Sequence, residues 1–384
     1  MMAQGLRIGL VGAGFIGRSH ALAVKAVGGV FPDCPPVIAE CVADADAARA
    51  EAIARQVGFR SHTSDWRAAV DASDAVIVAV PSEHHFEIAS AVIAAGKPLL
   101  CEKPVGLSAD QAARLAAAAA RAGVINAVGY TYLRAPLVRQ AKVILDGGRL
   151  GRPLHFTGRH FEDYLASPDA PFSWRLDRAR AGRCGALGDL GCHILSIARY
   201  LLGPVERLAG ASTLVHPVRR LPDGGSRAVE NEDHAAAMVR FAGGVPGTIE
   251  VSRVASGRKM DLSFEVTCER GAIRFDAERT NELQVYLDEA DPAGPGFRRV
   301  LARPGHPDYA GFLPAPGHGL GFNDLKTIEI AEFLRGVAAG RSVYPDLAEA
   351  ARIGRLCEAI LDSSDAGRWI DGPEEEPSTR RPAA

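Results

Sequence analysis

The chain has 384 residues, 47% of them hydrophobic and 23% charged, with a formal charge of −2. That is long and apolar enough for two domains with a substantial core. The near-neutral balance gives no reason to expect nucleic acid or an anionic membrane as partner. No apolar run approaches the ~20 residues of a membrane helix, and the opening "MMAQGLRIGLVGAG" passes straight into a strand pattern without a signal-peptide core. Seven cysteines, scattered and without a C-x-x-C pair, fit a reduced, cytoplasmic setting.

In chain order, "LRIGLVG" reads as a strand and Phe15 to Val27 as a helix. "PVIAECVAD" is a second strand, followed by the helix "AARAEAIARQVG" ending at Gly58. "DAVIVAVP", "PLLCEKP" and "INAVGYTY" continue the strands, with helices "HHFEIASAVIAAG" and "SADQAARLAAAAARAG" between them. Continuous apolar strands alternating with helices predict a parallel sheet covered on both faces. From about residue 132 the texture changes. A helix, a strand "PLHFTGRHF" and a loop over 162–183 lead into many short β-rich runs from "RLAGASTLV" to "ELQVYL". A Gly/Pro loop and two helices follow, and "DGPEEEPSTRRPAA" has the composition of a disordered tail.

"RIGLVGAGFIGRSHA" carries Gly12-x-Gly14-x-x-Gly17 between the first strand and helix. Such glycines allow the tight turn, the approach of a pyrophosphate and close helix–strand packing, with the helix N-terminus facing the phosphates. Asp44, after the second strand, has the chemistry to hold the adenosine ribose hydroxyls and so to favour NAD. A Pro-rich insert explains its distance from the glycines. Asp46 is the competing residue, capping of the next helix is the alternative role, and Arg49 leaves room for NADP. The fold expected is an α/β Rossmann domain over 1–131 plus an α+β domain over 132–370 for substrate binding and oligomerisation. The second has a large, mainly antiparallel open sheet, and a disordered tail covers 371–384.

Glu102-Lys103-Pro104 ends a parallel strand, where open α/β sheets bind ligands. A lysine beside a positive nicotinamide loses some proton affinity and can hydrogen-bond an alcohol becoming a carbonyl. In "CGALGDLGCHILSIARYLLG", Asp189 and His193 lie four apart at the start of an apolar helical run. Both then share a helical face, where the carboxylate can orient the imidazole and favour its protonated form. The bland alternatives are a capped helix with a core histidine, or a zinc site of Cys184, Asp189, Cys192 and His193.

"GLVGAGFIGRSH", "VPSEHHFEIASAVIAAGKPLLCEKP", "SWRLDRARAG" and "GALGDLGCHILSIARYLLG", in that order, resemble the Gfo/Idh/MocA family of nicotinamide-dependent sugar and cyclitol dehydrogenases. Its levoglucosan dehydrogenase-like members are the most similar, with myo-inositol dehydrogenases more distant. The resemblance implies a reaction at a secondary hydroxyl of a sugar, anhydrosugar or cyclitol, with NAD as cofactor and no metal. It implies Lys103, Asp189 and His193 as catalytic residues. Gly12, Gly14, Phe15, Ile16, Gly17, Asp44, Val80, Pro81, Ser82, His85, Glu102, Lys103, Thr131, Trp174 and Arg175 are implied on the cofactor. Lys103, Tyr132, Glu162, Asp163, Asp189 and His193 are implied on the substrate. Thr131, Glu162 and Phe322 stand where relatives often differ, which bears on the substrate rather than the reaction. His306 and His318 receive no role. A homodimer or homotetramer is expected, because a sheet with one apolar face must be covered. An NAD-dependent glycoside hydrolase and a non-catalytic NAD-binding regulator are the rivals.

Overall fold

The computed structural model describes residues 5–221, 223–288, 294–313 and 315–373. Its first layer is a parallel sheet of β1 (Leu6–Val11), β2 (Val37–Ala43), β3 (Ser61–Thr63), β4 (Ala75–Val78), β5 (Leu99–Cys101) and β6 (Asn126–Val128). The spatial order is β3-β2-β1-β4-β5-β6, every pair parallel. Helices α1 (Phe15–Val30), α2 (Ala47–Val57), α3 (Trp66–Ala72), α4 (Ser82–Ala94) and α5 (Ala109–Ala122) connect the strands. All four residues of β4 are buried, as covering on both faces demands. The order reverses between β1 and β4, which opens a crevice at their carboxyl ends.

Expected and observed elements agree closely here. Asp46 caps α2, and Gly58 ends it in a left-handed conformation. The short β3 and α3 in "SHTSDWRAAVDA" were not anticipated, being too brief to show a period. "INAVGYTY" yields only the three residues of β6, after which Thr131–Arg134 coil into a 3-10 turn.

Helix α6 (Pro136–Asp146) leads into β7 (Pro153–Phe161), the short α7 (Arg178–Ala181) and α8 (Cys192–Leu202). Then come β8 (Val205–Thr213), β9 (Val218–Arg220), β10 (Ser226–Ala228), β11 (His234–Phe241), β12 (Pro246–Ser252), β13 (Asp261–Cys268), β14 (Gly271–Asp276), β15 (Glu282–Leu287) and β16 (Arg298–Leu301). Helices α9 (Phe322–Ala339) and α10 (Leu347–Ala366) and strand β17 (Ile370–Asp371) complete the described elements. The second sheet runs β16-β15-β14-β13-β7-β12-β11-β8-β17, with β9 and β10 as a separate pair. It is antiparallel throughout except that β7 and β12 run parallel, so it is mixed rather than uniform. Leu262, Phe264, Val266 and Cys268 of β13 alternate into the core under α8, the period of two that a half-covered strand requires.

The two C-terminal helices fold back across both layers. Helix α9 packs on α1, and α10 lies between α5 and β8. A continuous hydrophobic core runs from β1 through α10. Asp371, expected to begin the disordered tail, instead pairs with Arg207 as Ile370 does with Leu208. The rest of that expected tail, from residue 374, lies outside the described residues.

Candidate active site

A cavity of about 690 Å³ opens at the carboxyl ends of β1 and β4 and extends to the near edge of the second sheet. The glycine turn forms one end. Gly12 has a φ of 101° and a Cβ there would lie 2.4 Å from the Ala79 carbonyl; a Cβ on Gly17 would lie 1.9 Å from the Gly12 carbonyl. At Gly14 a Cβ would meet no atom within 4 Å, so the turn presents bare backbone to the cavity. No side chain caps α1, and its first amides are left to a ligand. This cradle fits a pyrophosphate. Asp44 lies just behind it: Oδ2 accepts from the Ala13 amide at 2.8 Å, and Oδ1 accepts from the Asp46 amide at 2.9 Å. Asp46 is occupied in capping α2, so of the two acids Asp44 faces the turn. Arg49 approaches Asp44 at 3.4 Å.

The opposite end holds the candidate chemistry. The Lys103 ammonium donates to the Asp189 main-chain oxygen at 2.8 Å and to Asp189 Oδ1 at 3.1 Å. Tyr164 Oη donates to Asp189 Oδ2 at 2.8 Å, and Arg175 Nε lies 3.4 Å from the same oxygen. Asp189 thus serves Lys103, Tyr164 and Arg175, and no hydrogen bond joins it to His193 among the described residues. That corrects the expectation that Asp189 orients the imidazole. The cause is local. Residues 187–191 form a π-turn, the Cys192 amide reaching the Leu187 carbonyl, before α8 begins. Glu232 anchors the turn by accepting from the Gly185 and Leu187 amides, each at 2.8 Å.

His193 is instead held by rings. Tyr132 meets it edge-on at 4.7 Å between centroids, His160 lies at 5.7 Å and Tyr130 at 6.1 Å. Burial, the Lys103 charge and His160 together push the His193 pKa well below its ordinary value, outweighing Asp189 and Glu102. The imidazole is therefore neutral, not favoured in its protonated form. Lys103 is pulled the other way. Burial alone would lower its pKa, but Asp189, with smaller help from Cys192 and Glu102, carries it above the usual lysine value. Asp189, opposed by burial, is held far below the carboxylate range by Lys103 and Arg175.

Most of the remaining expected residues line this cavity: Phe15, Ile16 and Val80 to Ser82 on the cofactor side, and Thr131, Tyr132, Trp174 and Arg175 around the centre. Asp163 does not. Its carboxylate pairs with Lys259 at 2.7 Å and accepts from the Gly257 amide at 2.9 Å, whereas Glu162 turns inward. His85 reaches the wall but is buried, with Nδ1 2.6 Å from the Pro104 carbonyl, and burial lowers its pKa. Cys192 is a buried thiol pushed up to about 12 by burial, with its sulfur beside the Asp189 main-chain oxygen.

His160, Tyr164 and Lys326 line the cavity unforeseen. His160 Nδ1 donates to the Leu190 carbonyl at 3.0 Å, and Nε2 lies 3.3 Å from Glu162 Oε1. The signal was present: 160, 162 and 164 alternate at and beyond the end of β7 and so share a side. Lys326, on α9, sits between Glu102, Glu329 and His20. The ligand atoms of these three partners lie within 4.8 Å of one another, the spacing of a metal cage, and the lysine ammonium reaches all of them.

Two family models match the chain: the oxidoreductase family NAD-binding Rossmann fold over residues 6–130, and the GFO/IDH/MocA C-terminal domain over residues 138–274. The chain is 36% identical to levoglucosan dehydrogenase of Pseudarthrobacter phenanthrenivorans, over 97% of this chain and 99% of the relative. It is 30% identical to inositol 2-dehydrogenase of Rhizobium meliloti, over 95% and 98% respectively. The solved structure of a levoglucosan dehydrogenase in complex with NADH and levoglucosan matches with a TM-score of 0.93 at 35% identity, covering 96% of this chain and all of that one. With family models over more than half its length and a 36% identical relative along nearly all of it, the chain belongs to the GFO/IDH/MocA family of oxidoreductases.

Proposed function

We propose that the chain is an NAD-dependent dehydrogenase that converts a secondary hydroxyl of a sugar, anhydrosugar or cyclitol to a ketone, reversibly. The observation that carries this reading is the pairing of a protonated Lys103 with a neutral His193 in the cavity that begins at the glycine cradle. Lys103 spends two hydrogen bonds on Asp189 and keeps a third donor for a substrate oxygen. The ammonium lowers the proton affinity of that hydroxyl. His193 Nδ1 is buried without a partner, which leaves Nε2 as the atom to take the hydroxyl proton. NAD, when bound, supplies the acceptor for the hydride leaving the same carbon. The first amides of α1 and the bare Gly14 receive its pyrophosphate, and Asp44 its adenosine ribose. Trp174 and Tyr132 offer flat faces to a ring, and Glu162 accepts from its hydroxyls.

The same reading includes a second copy of this chain as partner, on the face of the second sheet away from α8 and α10. Ala209, Met238, Thr248 and Thr157 lie there side by side across β8, β11, β12 and β7, an uncharged row with the exposed Met238 in it. It also includes a cytoplasmic setting: all seven cysteines are unpaired, and no helix among the described residues is long and apolar enough to cross a membrane.

The test is a panel of levoglucosan, inositols and aldoses with NAD or NADP, read as absorbance of reduced cofactor. Wild type is expected to reduce NAD with at least one of them. Lys103→Met is expected to bind NADH normally and to lose on the order of a thousandfold in kcat, the scale of acid–base catalysis. Undiminished turnover in that variant refutes the assignment. Glycoside cleavage without accumulation of NADH moves the reading to the hydrolase.

A further inference from the structure

The Glu102 carboxylate is held from every side. Oε1 accepts from Lys326 Nζ and from His20 Nε2, the latter at 2.8 Å, and Oε2 turns back to the amide of Lys103 at 3.3 Å. Gly129 leaves it room, since a Cβ there would lie 2.7 Å from the carboxylate. The second arm of Lys326 reaches Glu329 Oε1 at 2.8 Å, whose other oxygen accepts from Thr131 Oγ1 at 3.3 Å. One ammonium thereby fixes two stretches of the cavity wall: the backbone of the lysine that faces substrate, and the threonine on the cofactor side. Lys326 side-chain exposure is 1%, Glu102 7% and Glu329 0%, so none of these charges is solvated in place of its partners.

We propose that Lys326 is a positioning residue for catalysis, acting through Glu102 on the Glu102-Lys103-Pro104 turn and through Glu329 on Thr131. Two buried carboxylates this close repel unless a cation stands between them. A lysine supplied by α9 does so as a fixed part of the fold, and in doing so clamps the second domain's helix to the cofactor-side turn. Without it, Glu102 must take a proton or swing toward water, and the Lys103 amide loses its acceptor. A displacement of about 1 Å at Lys103 costs on the order of a hundredfold in rate.

The inference rests on the dehydrogenase reading only where turnover is measured. Lys326→Met is expected to lower kcat about a hundredfold, with KM for levoglucosan or myo-inositol, whichever wild type oxidises, and NADH fluorescence titration changed only a few-fold. The double variant Glu102→Gln/Lys326→Met restores the cluster's wild-type net charge, with Glu329 alone ionised and still accepting from Thr131, so its melting temperature is expected to recover part of the loss while kcat stays low. Recovery of kcat in the double variant overturns the proposal, because Lys326 would then only neutralise Glu102. Full kcat in the single variant overturns it too. One readout needs no substrate: the competitive acetylation of Lys103 in the intact chain, followed by mass spectrometry. Loosening the turn away from Asp189 is expected to raise that rate about tenfold in the double variant, the effect of one unit in proton affinity. An unchanged rate there refutes the proposal even where no polyol is turned over.

Discussion

Asp189 distributes its charge among Lys103, Tyr164 and Arg175, while burial, the Lys103 charge and His160 act on His193. The lysine stays a cation and the histidine stays neutral, so the two roles divide without a shared proton between Asp189 and His193. In the proposed reaction, oxidation needs neutral His193. Its pKa lies below 6.5, so acidification from neutrality leaves the base free until the pH falls past that value, and only then does rate decline. Lys103 lies above 10.5, so an alkaline limb from its deprotonation begins only beyond that. A profile of kcat/KM against pH is therefore expected to be flat across the neutral range. A fall beginning at pH 7 to 8 on the acid side contradicts the burial argument for His193.

At the scale of elements, the glycine turn separates folding from binding. Gly17→Ala drives a Cβ to 1.9 Å from the Gly12 carbonyl, a main-chain atom that cannot move aside, and is expected to lose about 1–3 kcal/mol of stability along with NADH binding. Gly14→Ala meets nothing within 4 Å, so its melting temperature is expected to hold while the added methyl weakens NADH binding. Thermal denaturation and fluorescence titration of the two variants check this dissociation. Such turns were legible in the sequence because they are local: strand, glycines and helix are contiguous, and the period of each element is written within it. Lys326 was not, because its partner Glu102 is 224 residues away and no short-range pattern marks a buried lysine whose match lies so far along the chain. The pairing of Lys103 with Asp189, 86 residues apart, was approached only because each stood in a motif of its own. Adjacent acids posed a different problem. Glu162 and Asp163 carry the same chemistry, and only the alternation past β7 separates the one facing the cavity from the one bound to Lys259.

For the whole molecule, the fold-back of α9 and α10 makes the two sheets one mechanical body, since α9 packs on α1 and α10 bridges α5 and β8. The cavity lies in this junction, with the glycine cradle from the first layer, His193 and Glu162 from the second, and Lys326 from α9, which packs on α1. In the proposed assembly, the outer face of the second sheet meets another copy of the chain. Met238, 53% exposed on β11, is the residue to challenge. Met238→Glu is expected to shift the mass measured by light scattering from an oligomer toward a monomer, with the fold intact by circular dichroism. A wild type that runs as a monomer at all concentrations refutes this partner.

The π-turn at 187–191 has a consequence for how this segment can change over time. Each added or removed residue in a helix rotates everything beyond it by about 100°. Here one surplus residue sets the angle between Asp189 on the turn and His193 on α8, with Glu232 gripping the near end. Insertion or deletion within 187–191 turns one of the two away from the cavity. The stretch is thus constrained in length as well as in spelling: Asp189 has to stay, and so does the number of residues between it and His193.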